Sequence, residues 1–375
     1  MPTAPRPDRP LAILQVTPAY APWIGGAQTC VREVSRGVQA AGAQVQVLTA
    51  DPSRRLPRRE RLDGIEVVRV PAWPRDGDQR FAPGVAPAIA RLGGDVIHIH
   101  CYQTLVSPVA MMATARLRLP YVLTFHGGGH STPWRNRIRT PQLKVLRPLL
   151  ARAAALIATG EWEIEHYSAL LGLPVAQFRL IPNGGDLPAP RDPPAAREGT
   201  LIVSVGRAER YKGHHRVLAA FPHVLREIDD AKLWIAGDGP YEAELRRIAR
   251  DLGVSHRVEI CALRDREAYA DRLASASLAT LLSDHETNPV AALEAIALGI
   301  PTLVADNSGM VELAARGQAR TASLSDDSRA HARQIVELIR DPPPPVPAAP
   351  IWSWRDCAMT TLALYHDVQR RPRRA

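Results

Sequence analysis

Long apolar stretches are missing from this sequence. No run of about 18 apolar residues occurs in the chain, so no segment is expected to cross a membrane. Residues 1–10 are polar and rich in proline, and they lack the apolar segment of a signal peptide. These absences predict a cytoplasmic protein.

Cysteine is scarce and widely spaced. The four cysteines are Cys30, Cys101, Cys261 and Cys357, and none of them forms a C-x-x-C pair. This spacing argues against a disulfide framework and against a structural zinc site. It is typical of a protein in the reducing cytosol.

Aromatic residues make up only 5% of the chain, and they form no stripe interleaved with basic residues. Zinc-finger spacing is absent, and so is a Walker-type G-x-x-x-x-G-K-[ST] motif. Nucleic acid is therefore not an expected partner, and ATP hydrolysis is not an expected activity.

Acidic residues are outnumbered: 38 Asp and Glu stand against 47 Lys and Arg, which gives a net charge of +9. Nearly all of the positive charge is arginine. A compositional bias toward Arg and Ala would produce this excess without functional meaning. Attraction to an anionic partner, such as nucleotide phosphates or anionic lipid, would instead make use of it. The charge alone leaves both interpretations open.

What the sequence does contain is an alternation of short β-branched apolar runs with longer amphipathic segments. This alternation is typical of βαβ units and parallel sheets. It predicts strands at 11–17, 44–49, 65–70, 95–99, 121–125, 155–158, 178–181, 201–205, 232–236, 257–260, 277–282 and 302–305. It predicts helices at 27–41, 213–228, 240–252, 264–274, 289–298 and 327–340.

Proline-rich stretches divide the chain. A length of 375 residues is expected to form two domains. Residues 187–199 contain four prolines and are predicted to link an N-terminal domain, residues 1–186, to a C-terminal domain, residues 200–345. Residues 346–375 are predicted to form a helix that packs back toward the N-terminal domain. The predicted fold class is α/β, with two Rossmann-like, doubly wound parallel-sheet domains that face each other across a cleft.

Ligands of doubly wound sheets bind beyond the carboxyl ends of the strands. The string GRAERYKG follows the predicted strand 201–205 and places Arg207 and Lys212 across a strand-to-helix turn. An arginine fork and a lysine point charge that converge there suit a diphosphate. A solvated basic turn is the alternative.

A second string, SDHETNPVAALEAIALG, follows the predicted strand 277–282 and contains Glu286 and Glu294. Glu286 is expected in the turn, where a favourable interaction with the helix dipole is the simplest explanation. Glu294 is surrounded by apolar residues in the helix. An isolated carboxylate in such a segment needs a partner, because burying an unpaired charge is costly. Ribose hydroxyls are candidate partners.

These strings resemble the retaining glycosyltransferases of the GT-B fold, family 4. The family pattern G-R-x-x-x-x-K-G followed by E-x7-E is matched in spacing and order. Further strings of the family run along residues 11–340: TPAYAPWIGGAQ, FHGGGH, IPNGGD, AGDGP and ALGIPTLVAD. The resemblance rests on the ordered set, since each string alone is weak.

The resemblance implies a role for each of these positions. Arg207 and Lys212 would hold the donor diphosphate, Glu286 the transferred sugar and Glu294 the ribose. His126 would face the transferred sugar. The implied catalytic residues are His126, Arg207, Lys212 and Glu286. The implied donor-binding residues are Gly25, Gly26, Gly206, Arg207, Lys212, Glu286, Asn288, Val290 and Glu294.

The resemblance further implies that transfer retains the anomeric configuration through a same-face reaction. Since Arg207 and Lys212 would neutralise the leaving diphosphate, no metal or other cofactor is expected. Asp76-Gly77-Asp78 has a D-x-D form, but it lies in a Pro/Gly/Arg loop and more simply makes a solvated turn. His98 and His100 share one face of a strand, and with His126 and His130 they show no complete zinc ligand set.

Many relatives have Gly-Phe-Gly after the first glutamate, whereas this chain has Thr287-Asn288-Pro289. Pro289 has no N–H, so one backbone donor to the sugar or phosphate is absent. This difference bears on which sugar is bound.

The basic segment 134–152 includes Arg135, Arg137, Arg139, Lys144 and Arg147. It would allow peripheral contact with an anionic membrane or an anionic acceptor. The alternative is a solvated helix face that packs its leucines inward.

The predicted activity is hexosyl or N-acetylhexosaminyl transfer from a UDP- or GDP-sugar to a hydroxyl of a surface polysaccharide, a lipid-linked sugar or a secondary metabolite. The main alternative is a nucleotide-sugar epimerase or isomerase of the same fold.

Overall fold

The computed structural model describes residues 9–23, 25–75, 80–127, 133–190, 199–343 and 351–371. Its strands lie in two sheets. The first sheet is built from β1 (Ala12–Thr17), β2 (Gln44–Asp51), β3 (Arg59–Leu62), β4 (Ile65–Pro71), β5 (Val96–His100), β6 (Tyr121–Thr124), β7 (Ala155–Ala158) and β8 (Phe178–Leu180). The second is built from β9 (Leu201–Val205), β10 (Lys232–Ala236), β11 (Val258–Ile260), β12 (Leu278–Leu281), β13 (Thr302–Ala305) and β14 (Arg320–Ala322).

Helices connect most of these strands and lie on the faces of the sheets. They are α1 (Gly26–Ala40), α2 (Val85–Leu92), α3 (Val106–Arg116), α4 (Pro133–Leu150), α5 (Glu161–Leu171), α6 (His214–Val224), α7 (Glu242–Asp251), α8 (Arg266–Ala274), α9 (Val290–Ala297), α10 (Met310–Ala315), α11 (Ser328–Arg340) and α12 (Trp354–Arg370).

The first sheet has the strand order β3-β4-β2-β1-β5-β6-β7-β8. Its neighbours are parallel except for β3, which pairs with β4 in the antiparallel direction. Chain order reverses between β1 and β5, so this sheet is doubly wound around that point. The carboxyl ends of β1, β5 and β6 therefore lie side by side at one edge.

The second sheet is parallel throughout, with the order β11-β10-β9-β12-β13-β14. Chain order reverses here between β9 and β12. In such sheets a crevice forms at the reversal, because the crossover helices leave toward opposite faces. Two doubly wound domains are thus present, and the predicted fold class is confirmed.

The terminal helix α12 belongs to the core of the first domain. Its buried residues Trp354, Cys357, Ala358, Leu364, Tyr365 and Val368 pack in one cluster with the inner face of α1. The two helices cross closely, since a Cβ atom at Gly37 would lie 2.4 Å from Ala358 Cβ. Ser353 and Asp356 form a capping box that starts the helix.

The structure confirms the predicted strands to within a few residues and adds β3 and β14, which were not predicted. β3 has the sequence Arg-Glu-Arg-Leu, and its residues are exposed or half-buried. A charged edge strand carries no apolar run, and charge on an edge strand also discourages pairing with another chain. The predicted linker and the Asp76-Gly77-Asp78 loop fall largely outside the described residues.

Candidate active site

Lys212 and Glu286 form an ion pair where the second sheet reverses. Lys212 follows β9 and Glu286 follows β12, and these two strands are neighbours at the reversal. The Lys212 Nζ atom lies 2.5 Å from Glu286 Oε1. This ion pair therefore lies at the position where doubly wound sheets bind their ligands.

Both side chains of the ion pair are largely buried: 16% of Lys212 and 10% of Glu286 remain exposed. Burial lowers the pKa of Lys212, but the Glu286 carboxylate and Tyr211 together raise it by more, so the pKa lies above its ordinary value. The ammonium group is therefore fully charged at neutral pH. With three N–H donors and one carboxylate partner, it can also bind a second anion.

Gly213 determines the backbone path that presents Lys212. Its φ of +76° lies in the left-handed region, and a Cβ atom there would lie 1.8 Å from the Leu282 carbonyl oxygen. Only glycine satisfies both conditions. The turn before α6 can consequently press against the end of β12, which brings Lys212 to Glu286.

Arg207 lies closer to solvent than Lys212. Its side chain is 43% exposed, and its guanidinium lies 3.5 Å from the Glu209 carboxylate. Its charge opposes the rise in the pKa of Lys212, so the two cations act on the same region. The predicted pair thus consists of a buried lysine and a half-exposed arginine.

Glu294 lies on α9 with only 4% of its side chain exposed. Its Oε1 accepts a hydrogen bond from Arg266 at 2.8 Å, and its Oε2 accepts one from the Tyr269 hydroxyl at 3.1 Å. Burial raises the pKa of Glu294, while Arg266 and Tyr269 oppose the rise. The partner that an isolated carboxylate requires is therefore supplied in part by α8, a contact that sequence reasoning missed.

The segment between Glu286 and α9 meets the first domain. The backbone N–H of Asn183 donates to Asn288 Oδ1 at 3.0 Å, and Asn183 Nδ2 donates to the Asn288 carbonyl at 2.9 Å. Asn288, a predicted donor-binding residue, thus uses its side-chain oxygen in a contact between domains. The IPNGGD string contained the other partner, but nothing in its pattern identified the pairing.

The glycine loop after β1 faces the start of α9. A Cβ atom at Gly26 would lie 3.7 Å from Val290 Cγ2, which is an ordinary contact, and one at Gly25 would meet only the flexible Gln28 side chain. The protein's own packing therefore does not demand glycine at these two positions. At the start of α9, as at any helix start, the first N–H groups cannot bond to a carbonyl within the helix.

His126 follows β6 at the edge of the first sheet and is partly buried. Its φ of +47° places it in the left-handed region, which is rare for a residue with a side chain. Its Nε2 lies 2.9 Å from His100 Nδ1, and burial lowers its pKa to about 4. His126 is thus a neutral imidazole held in a strained backbone position, as is common at functional sites.

Glu163 supports the loop that carries His126. It is fully buried, its Oε1 accepts from the Gly127 N–H at 3.0 Å, and its Oε2 accepts from the Thr159 N–H at 2.7 Å. Burial raises the pKa of Glu163 to about 7, although these hydrogen bonds lower it. Sequence reasoning missed Glu163, because nothing in the sequence of α5 distinguishes it from the neighbouring Glu161 and Glu165.

The contact between domains continues along α5 and α10. The Trp162 N–H, at the start of α5, donates to Glu312 Oε1 at 2.8 Å. The Trp162 ring meets His285 edge to face, with 5.0 Å between ring centroids. Since His285 directly precedes Glu286, the first domain contacts the segment that carries the ion pair.

The basic helix α4 is amphipathic. Leu143 and Leu146 are buried, whereas Arg137, Lys144 and Arg147 are exposed. The exposed side also includes Ile138 and Val145, which are 39% and 77% exposed. The side chain of Arg135 is outside the described part of the chain.

Within the ranges that the structure covers, no helix is long and apolar enough to cross a membrane. In the same part of the chain, no three His, Cys, Asp or Glu side chains come together in a way that would hold a metal ion. His130 and Asp76-Gly77-Asp78 fall outside these ranges.

Family models match both halves of the chain. Residues 25–184 match the glycosyl transferase 4-like domain, and residues 189–349 match the glycosyl transferases group 1 model. Together with the doubly wound domains, these matches define the protein as a glycosyltransferase. More specifically, the chain belongs to the group 1 glycosyltransferases of the GT-B fold.

Curated relatives match over most of their length. The GDP-mannose:cellobiosyl-diphosphopolyprenol alpha-mannosyltransferase of Xanthomonas oryzae is 26% identical over 337 residues, which cover 88% of this chain and 87% of the relative. The glycogen synthase of Mycobacterium tuberculosis is 28% identical over 363 residues, with 88% and 87% covered.

Solved structures show the same fold. The sucrose-phosphate synthase of Thermosynechococcus elongatus has a TM-score of 0.76 at 21% identity, with 95% of this chain and 99% of that chain covered. HepE of Anabaena in complex with UDP-glucose has a TM-score of 0.70 at 20% identity, with 96% and 97% covered. At these identities the likeness concerns the fold alone.

Proposed function

We propose that this glycosyltransferase retains the anomeric configuration while it moves a hexosyl or N-acetylhexosaminyl group from a UDP- or GDP-sugar to an acceptor hydroxyl. The observation that carries the proposal is the buried Lys212–Glu286 ion pair at the reversal of the second sheet. In this pair a cation suited to the diphosphate lies beside a carboxylate suited to sugar hydroxyls. Sugar and phosphate can therefore be held at their junction, where the bond breaks.

The remaining donor contacts follow from the same geometry. Arg207 adds a second cation from the solvent side, and the backbone at Gly206 leads the chain into that turn. Glu294 has carboxylate lone pairs beyond those that Arg266 and Tyr269 use, and these can accept ribose hydroxyls. The first amides of α9, at Val290, can donate to phosphate oxygens, as helix starts commonly do.

In the proposed reaction the bond between the anomeric carbon and the diphosphate oxygen breaks. The acceptor oxygen bonds to the same face of that carbon, and its proton passes to the departing diphosphate. Lys212 and Arg207 offset the negative charge that develops on the leaving group. Catalysis of this kind rests on positioning and electrostatic stabilisation, so these residues can supply it without a metal ion.

The acceptor side belongs to the first domain. The exposed arginines and lysine of α4, together with the exposed Ile138 and Val145, favour a lipid-linked acceptor at an anionic membrane over a surface polysaccharide or a small metabolite. The Xanthomonas relative is named for a diphosphopolyprenol substrate, which supports the same choice. The proposed location is the cytoplasm, with peripheral contact at the inner face of the membrane.

A thermal-shift panel of nucleoside diphosphates and their sugars tests the donor. Binding well above the dissociation constant should raise the melting temperature by roughly 5 °C for one nucleotide base. Release of free nucleoside diphosphate from that donor, with formation of a glycoside of unchanged anomeric configuration, would establish retaining transfer. Conversion of the donor into an isomeric nucleotide sugar would favour the epimerase alternative, and a panel without any shift would contradict both.

Flotation with liposomes of acidic phospholipid at low salt tests the membrane contact. The wild-type protein should float, and the R137E/K144E variant of α4 should not. The variant R226E/R250E changes two exposed arginines of the second domain by the same charge and serves as the control. Equal flotation of the two variants would assign the binding to net charge rather than to α4.

A further inference from the structure

A chain of buried hydrogen bonds connects His126 to the terminal helix α12. His126 Nε2 lies 2.9 Å from His100 Nδ1, and His100 Nε2 lies 2.7 Å from Gln15 Oε1. Gln15 Nε2 in turn donates to the Tyr365 hydroxyl at 3.0 Å. Gln15, His100 and Tyr365 are each at most 1% exposed. Water therefore cannot replace a partner that is lost from this chain.

Gln15 gives the chain its direction. An amide oxygen only accepts hydrogen bonds, so His100 carries its proton on Nε2 and donates it to Gln15. A neutral imidazole has one proton, which leaves His100 Nδ1 as an acceptor. The hydrogen bond between the two histidines then requires the proton on His126 Nε2. The Nδ1 atom of His126 is left as an unprotonated acceptor.

The directions in the other branch follow from the same orientation of the Gln15 amide. The Tyr365 oxygen accepts from Gln15, so its own proton is free for His98 Nδ1, which lies at 2.5 Å. His98 then carries its proton on Nε2 and donates to Thr124 Oγ1 at 2.7 Å. Rotation of the Gln15 amide by half a turn would reverse these bonds and move the His126 proton to Nδ1. One side-chain amide thus selects the tautomer of the histidine in the cleft.

We propose that Gln15 and Tyr365 are positioning residues that hold His126 in the tautomer with its proton on Nε2, so that its Nδ1 accepts a hydrogen bond from a hydroxyl of the bound sugar. The inference rests on the proposed function for the identity of that hydroxyl, but the tautomer itself does not depend on it. Burial supports the assignment, because it lowers the pKa of His98 to about 3 and of His126 to about 4 and keeps both rings neutral. The terminal helix thereby acts on the cleft through Tyr365.

Imidazole ¹⁵N–¹H correlation spectra of the full chain test the tautomer directly. The His126 signals are assigned by their loss in H126N. We expect the pattern of a neutral ring protonated on Nε2 in the wild type, and a mixture or a reversal in Y365F and in Q15L. Wild-type protein with the proton on Nδ1, or an unchanged His126 pattern in both variants, would overturn the proposal.

The same variants are then compared in transfer assays. Y365F should lower kcat about tenfold, as expected for one buried hydrogen bond left unmade, and should leave the dissociation constant for the nucleoside diphosphate unchanged. Y121F is the matched control, because the buried Tyr121 hydroxyl donates to the Leu149 carbonyl outside this chain of bonds. An equal loss of kcat in Y121F would contradict a positioning role. Failure of the wild type to transfer sugar from any donor would count against the proposed function, while the ¹⁵N pattern would still decide the tautomer.

Discussion

The two sides of the cleft differ in how they hold polar groups. On the second domain, buried carboxylates are paired with cations, as in Lys212–Glu286 and Arg266–Glu294. On the first domain, neutral imidazoles bond to one another and to amides and hydroxyls, as between His100 and His126. A charged side suits a diphosphate, whereas a neutral side suits sugar hydroxyls. The difference divides one transfer reaction between two chemically distinct surfaces.

The strongest test of this comparison removes the buried cation. Lys212→Ala should lower kcat/KM by about 10²–10³-fold or more, because the leaving diphosphate loses a preorganised positive charge. Lys232→Ala is the control: this exposed lysine begins β10, at the opposite end of the sheet from the site. Steady-state kinetics measure kcat/KM for each variant. Circular dichroism confirms that both variants are folded. Activity of K212A within a few-fold of K232A would show that charge on this side is dispensable.

A second test concerns the other buried ion pair. Glu294→Gln should weaken nucleoside diphosphate binding by about 10- to 100-fold, because Arg266 is left without its carboxylate and the ribose loses a charged acceptor. Calorimetric titration measures the affinity. Glu259→Gln breaks a pair with Arg272 in which the glutamate is 55% exposed, so its effect should be small. Equal losses in both variants would remove the distinction between site and surface.

The pH dependence of stability tests whether the buried histidines of the first domain are neutral. The folded pKa of His98 is lowered to about 3, so below its ordinary pKa of about 6.5 the unfolded chain binds the extra proton. Stability should therefore fall as the pH falls, by about 3 kcal/mol between pH 7 and pH 4 for this one group. Denaturant unfolding at several pH values measures it. His98→Gln should show a flatter profile, and an unchanged slope would argue against a buried neutral ring.

Glu163, also on the first domain, should give a pH dependence of stability opposite to that of His98. Its pKa is raised to about 7 in the folded protein, so the folded state binds the extra proton between the ordinary pKa and that value. Its contribution to stability is present at low pH and is lost as the pH rises, by about 2 kcal/mol between pH 5 and pH 7. Glu163→Gln should remove this part of the profile in the same unfolding experiments. A wild-type profile identical to that of E163Q would show that Glu163 is ionised throughout.

Much of this arrangement was predictable from local pattern. Apolar runs predicted the strands, and the positions of Lys212 after β9 and Glu286 after β12 predicted a polar site beyond these strand ends. The ion pair between the two side chains was not predicted. Glu294, an isolated carboxylate in an apolar segment, was predicted to need a polar partner, and it has two. Arg266 and Tyr269 could not be identified as that partner, because the contact depends on how α8 packs against α9.

Contacts between residues far apart in the sequence were harder to predict. His98 and His100 stood out as two histidines on one strand face, yet their partner Tyr365 comes from the far end of the chain. Likewise, the edge strand β3 has no apolar run, and only its pairing with β4 makes it a strand. The residue pattern of a segment predicts which of its side chains are buried. Which distant residues those side chains contact depends on the tertiary fold.

The position of α12 has a consequence for how the chain is made. Since β1 and α12 both belong to the first domain, the whole second domain is an insertion within the first. During synthesis the inner face of α1 stays uncovered until α12, which follows the second domain in the chain, has left the ribosome. The second domain can therefore complete its fold before the first. Deletion of α12 would expose the apolar inner face of α1 to solvent.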